Sequence, residues 1–113
     1  MHMTATEIGP ALVVAVGDRR IDAAVAVRFK DKMLELTKHP ADRVILDLGN
    51  VDFLDSSGLG AVVGSMKQLG RTRHLDLAAM TPTVEKVFRI TRMDRVFRIF
   101  PTVDAALEDK ADA

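Results

Sequence analysis

Between Val44 and Gly60 the chain passes from an apolar, β-branched run, Val44 to Leu48, into a segment where Leu59, Val62, Val63, Met66 and Leu69 recur at the helical period. A run of parallel-strand length that feeds a helix belongs to an alternating α/β arrangement, and the rest of the chain repeats it. Thr4 to Ile8 is a weak first strand, Gly9-Pro10 a turn, and Leu12 to Val16 a good strand. Asp22 is expected to cap a helix whose Val25, Phe29, Met33 and Leu36 share one face, with Pro40 stopping it. Strand, helix and strand follow in Val44–Leu48, Ser57–Leu69 and Leu75–Ala79. Thr81-Pro82 reads as an N-cap followed by proline at the first helical position, with Val84, Val87 and Phe88 as the buried side. Val96 to Ile99 is expected as the last strand, and Pro101-Thr102 starts a C-terminal helix with Val103, Ala106 and Leu107 inward. The fold class is therefore α/β, a mixed and mainly parallel β-sheet of about five strands with about four α-helices packed on it.

Composition removes several function classes. A chain of 113 residues, 48% hydrophobic, makes one domain, 1–113, with a real core and no room for a second. Met1-His2-Met3 offers two starts, so residues 1–2 are expected to be an added remnant. With no cysteine there is no disulfide framework and no thiolate metal site. A formal net charge of zero argues against direct nucleic-acid binding. No apolar run reaches membrane-spanning length and no basic–apolar leader is seen, so membrane insertion is not expected and a cytoplasmic location is.

Ser56 and Ser57 stand at the start of the central helix, and residue types leave two readings open. A small hydroxyl residue there is commonly an N-cap. Yet one cap needs one hydroxyl, and here two follow Asp55. Gly58, Gly60 and Gly64 then come in a helix where each interior glycine costs ~1 kcal/mol relative to alanine, so something is expected to approach the backbone closely. If Leu59, Val62, Val63 and Met66 face the sheet, then Ser57, Gly60, Ala61, Gly64 and Gln68 share an exposed, nearly side-chain-free face suited to docking another protein.

Asp55-Ser56-Ser57-Gly58-Leu59-Gly60 after Val51-Asp52-Phe53-Leu54 resembles the signature of STAS domains, in particular the bacterial anti-sigma factor antagonists. Ile21-Asp22-Ala23 matches the segment that opens the first helix of that family, and Thr81 to Phe88 its third-helix region. The resemblance implies a STAS-type fold and a non-enzymatic phosphoprotein. Ser57 would be the residue phosphorylated by an anti-sigma factor that is also a serine kinase, and Asp22, Asp55, Ser56, Gly58, Gly60, Ala61 and Gly64 would join it in the partner-binding surface. It implies partner switching in transcription regulation: the unmodified protein binds the kinase and frees a sigma factor, phosphorylation abolishes binding, and a serine phosphatase resets the system. No cofactor is expected on this chain; ATP and magnesium belong to the kinase. The alternative within the resemblance is a regulatory subunit of a membrane transport ATPase assembly with a phosphate-independent interface. Two positions depart from the family: Arg19 stands where a glycine usually precedes the helix-opening Asp, and Arg92 where glycine is frequent after the third helix.

Other chemistries fit less well. Gly58-Leu59-Gly60 with Gly64 imitates a dinucleotide fingerprint, but such a turn follows its strand at once and Gly58 lies ten residues beyond Leu48. Asp55 stands where a hydrolase elbow needs glycine, two before the serine. His2, His39 and His74 are scattered and read as exposed or turn residues rather than metal ligands. A phospho-aspartate receiver would use Asp47, but Asp18 lacks an adjacent acid and Ile99-Phe100-Pro101 lacks the late lysine. Asp47 is expected to be hydrogen-bonded at the sheet edge or loop. Arg89, Arg92, Arg95 and Arg98 read as a solvated surface balanced by Asp104, Glu108, Asp109 and Asp112, the functional alternative being a patch for an acidic partner or membrane head groups.

Overall fold

Gly9 takes a φ of +57° with Pro10 behind it, the arrangement of a type II′ hairpin turn. It joins β1 (Met3–Ile8) to β2 (Ala11–Val16) antiparallel, with Met3 opposite Val16 and Ile8 opposite Ala11. This computed structural model describes residues 1–109, so Asp112 lies outside the described residues. The chain continues through β3 (Arg20–Ile21), α1 (Ala26–Leu36), β4 (Arg43–Asp47), β5 (Phe53–Leu54), α2 (Ser56–Leu69), β6 (His74–Ala78), α3 (Pro82–Ile90), a 3₁₀ turn (Met93–Arg95), β7 (Ile99–Phe100) and α4 (Val103–Glu108). The main sheet has five strands in the order β1-β2-β4-β6-β7, parallel throughout except for β1. β3 and β5 form a separate two-stranded parallel ladder.

The strands β2 and β4 are apolar on both sides because both sides are covered. On one face Leu12, Val14, Val44, Leu46 and Leu77 pack with Phe29 and Met33 of α1, Val62 of α2 and Phe88 of α3. On the other, Ala11, Val13, Ile45 and Ala78 pack with Ala106 of α4. Each such Val, Leu or Phe contributes ~1.5–3 kcal/mol by leaving water. Thr81 and Thr102 cap α3 and α4, their hydroxyls accepting from the amides of Val84 and Ala105. Asp47 accepts from the amide of Gly49 at 2.9 Å, the loop bond expected of it, and His2, His39 and His74 are all exposed.

Two expectations are corrected. Asp22 does not cap α1: the N-cap is Val25, without a side-chain bond, and Asp22 instead accepts from the amide of Ala24 at 3.1 Å in a turn that precedes the helix. The last strand is Ile99–Phe100, not Val96–Ile99, because Met93–Arg95 forms a 3₁₀ turn that leaves Val96 49% exposed and drives Phe97 under Phe88, with ring centroids 5.9 Å apart. Arg92 enters that turn at a φ of +61°, the left-handed conformation that explains why glycine suits this position.

Arg89, Arg95 and Arg98 line one hollow in which Glu85, Asp94 and Asp109 also take part, so the series is interleaved with acids. Arg89 pairs with Glu85 on α3 at 3.5 Å, while Arg98 turns inward to Asp76, a β6 residue only 2% exposed. Arg43 reaches the same carboxylate from β4, its Nε donating at 2.7 Å, so Asp76 is held between two guanidiniums. Arg73 ties down the loop after α1, donating to the carbonyls of Thr37, His39 and Ala41.

Candidate functional site

The site lies where α2 begins, and a carboxylate organises it. Asp55, not either serine, is the N-cap of α2, its Oδ1 accepting from the amide of Gly58 at 2.8 Å. Its other oxygen accepts from the amide of Ala23 at 3.1 Å, so one side chain joins α2 to the turn made by Asp22 and Ala23. The Gly58 bond does most to hold the Asp55 carboxyl below its ordinary 3.8; desolvation opposes it, and the amides of Ala23 and Ser57 add to the lowering.

With Asp55 as the cap, Ser56 and Ser57 fall at the first two helical positions and both are exposed. This corrects the capping reading, for a physical reason: an ionised carboxylate in extended backbone accepts the first-turn amide, and the hydroxyls are left to solvent. Asp22 lies within the same constellation, its Oδ2 paired with Arg20 Nε at 3.2 Å.

The glycines do three different jobs. Gly58 is buried, and a β-carbon there would lie 1.9 Å from the carbonyl oxygen of Ile21, so close approach of β3 demands glycine. Gly60 is exposed with nothing within 4 Å of the place a β-carbon would occupy. Gly64 is partly covered, a β-carbon meeting Lys30 Cε of α1 at 3.1 Å. The face expected to be open is therefore only partly so. Ala61 is 2% exposed and Gly58 is buried, which removes both from a docking surface, whereas Ser57, Gly60 and Gln68 are exposed. The expected Leu59, Val62, Val63 and Met66 do pack on the core, but the buried arc of the helix is wider than expected and reaches round to Gly58, Ala61 and Ser65. Ala61, Val62, Ser65 and Leu69 turn inward, because small residues let α2 sit close to the sheet and α1 together.

Sequence reasoning missed what flanks the serines. Arg20 and Phe53, opposite one another in the β3–β5 ladder, stack with the guanidinium 4.2 Å from the ring centre, both exposed. Arg19 pairs through Nε with Asp52 at 2.8 Å, and its carbonyl accepts from the amide of Asp52. Strands of two residues carry no period, so nothing in the sequence signalled either contact. Among the described residues no cluster of His, Asp or Glu could hold a metal ion, and no helix is long and apolar enough to cross a membrane.

An α/β domain with an exposed serine pair behind a capping aspartate defines a class already suggested by the motif. The chain belongs to the STAS domain family, whose model matches residues 2–106. It is similar to the anti-sigma-F factor antagonist RsfB of Mycobacterium tuberculosis, with 23% identity over 105 residues covering 93% of this chain and 85% of that one. Its fold matches the crystal structure of an anti-sigma factor antagonist from Mycobacterium paratuberculosis with a TM-score of 0.84 at 24% identity, over 94% of this chain and 90% of that one. It also matches SpoIIAA in its unphosphorylated form, a Bacillus protein, with a TM-score of 0.75 at 22% identity, over 99% and 98% of the two chains.

Proposed function

We propose that this protein is an anti-sigma factor antagonist that works by partner switching. Unmodified, it docks through the start of α2 on an anti-sigma factor with serine kinase activity and frees the sigma factor; phosphorylation of Ser57 ends the interaction. The observation that carries the reading is the division of labour at α2: Asp55 takes the capping role, which leaves the Ser57 hydroxyl exposed for transfer. The relatives named as antagonists support the partner class.

Electrostatics supplies the switch. A phosphate on Ser57 adds about −1.5 to −2 charges at neutral pH. In the free protein the first turn of α2 favours an anion by ~0.3–1 kcal/mol, up to about 2. In a complex the same phosphate is desolvated near Asp55 and Asp22, where an unpaired buried charge costs several kcal/mol. The modified protein therefore stays folded and is released. This chain acts as a binding module; ATP and magnesium are supplied on the kinase, and a serine phosphatase restores the docking form.

The test uses the kinase captured by the unmodified protein. Peptide mass spectrometry should place one phosphate on Ser57, and a phosphate on Ser56 or Thr81 overturns the assignment. Ser57→Ala should bind without being modified, and Ser57→Asp should bind more weakly; equal affinities in calorimetry would sink the switch.

A further inference from the structure

The main sheet guards its two edges unequally. β7 is two residues long and Pro101 follows it, so that edge offers little to pair with. β1, the opposite edge, is six residues long, and all but Met3 are exposed. Met3-Thr4-Ala5-Thr6-Glu7-Ile8 holds no proline or lysine, the residues that usually blunt an edge.

The ladder shows which groups that edge presents. The amide of Gly17 donates to the carbonyl of His2 at 2.6 Å, and the register places these two residues opposite one another. Bonded and non-bonded pairs alternate along an antiparallel ladder, so Thr4, Thr6 and Ile8 spend their backbone groups on β2. Met3, Ala5 and Glu7 point theirs outward, away from the sheet.

We propose that β1 pairs antiparallel with β1 of a second copy about a two-fold axis at Ala5, extending the five-stranded sheets into one continuous sheet of ten. The outward groups of Met3, Ala5 and Glu7 then meet those of Glu7, Ala5 and Met3 of the other chain in about six hydrogen bonds. The occupant is a second copy because this register is self-complementary. Ala5 meets Ala5 with no bulk at the axis, and Thr4 faces Thr6, a favourable cross-strand pair. Glu7, the strand's one charged side chain, faces Met3 rather than its own image, and it already pairs with His39. The serine site is on α2, outside β1 and its partner strand, so each copy keeps its docking surface. The inference stands apart from the proposed function.

Light scattering and sedimentation velocity on the whole chain, from micromolar to millimolar concentration, should show the mass rise from 12.4 kDa toward twice that value. Ala5→Pro removes an amide that already points away from β2, so the monomer should keep its circular dichroism while half-association moves to a concentration more than roughly tenfold higher. Ala5→Lys places a charge at the axis and should do the same, and it decides the matter if the proline variant fails to fold. A parent that stays monomeric over the whole range overturns the proposal. So does a folded Ala5 variant that associates as the parent does, since the interface then lies elsewhere.

Discussion

Gly58 and Gly60 stand two residues apart in α2, and replacing each with alanine should move stability in opposite directions. A β-carbon on Gly58 would lie 1.9 Å from the Ile21 carbonyl oxygen and 2.9 Å from its carbon. Ordinary contact begins near 3.4 Å, so the oxygen is roughly 1.5 Å too close, and no rotamer change can relieve a clash with backbone. Ile21 is paired with Leu54, and two residues on, the amide of Ala23 is bound to Asp55, so the whole turn must slide. Overpacking costs ~1–3 kcal/mol, and the upper end applies where backbone must move. Weakened hydrogen bonding in the displaced turn adds ~1 kcal/mol. Better helix propensity returns ~1 kcal/mol, leaving a net loss of about 2–3 kcal/mol. For a domain of this size that lowers Tm by about 10 °C. Gly60→Ala meets nothing within 4 Å and should keep the propensity gain of ~1 kcal/mol, raising Tm by a few degrees. Urea and thermal denaturation followed by circular dichroism measure both variants against the parent, and the shared helix cancels propensity in their difference. A Gly58→Ala protein within ~0.5 kcal/mol of the parent would refute the reasoning about Ile21.

Other perturbations test other parts of the structure. Asp76→Asn leaves Arg43, 11% exposed, without its carboxylate, and should cost ~3–5 kcal/mol of the unfolding free energy measured in urea; a loss below ~1 kcal/mol would show that the two guanidiniums find other partners. Arg92→Gly relieves a residue held at a φ of +61° and should add ~1 kcal/mol; unchanged stability would mean that the turn carries no strain. The folded pKa of Asp55 is lowered, so its contribution is present above the ordinary 3.8 and disappears as the pH falls through the folded value. Asp55→Asn should therefore lose stability less steeply than the parent as the pH falls from the ordinary 3.8 to the lowered folded value, and parallel curves there would remove Asp55 from the acid sensitivity.

Legibility followed how many neighbours an element has. β2 and the centre of β4 could be read directly because strands covered on both faces write an apolar run. The start of α3 was equally plain, since a capping threonine and a first-turn proline act within a few residues. The buried arc of α2 was read too narrowly because the helix touches the sheet, α1 and the strands β3 and β5 at once. Apolar residues then appear on several sides, and the closest contacts fall to Gly58, Ala61 and Ser65, which an apolar count does not weigh. The first-turn serines were placed correctly on the helix, yet their role depended on which side chain actually captured the Gly58 amide.

By itself the sequence determined the alternation of strands and helices, the family motif, and the position of Ser57 at the start of α2, because periodicity, capping and turn chemistry are local. Tertiary structure decided that Asp55 caps while the serines stay free, and that Gly58 is a contact with Ile21 rather than part of a docking face. It also decided that Arg98 turns inward to Asp76 and that β1 is left as an open edge. Those outcomes depend on atoms brought together from distant parts of the chain, Asp55 with Ala23 and Asp76 with Arg43, and no local pattern records which of several equally suitable partners packing will supply.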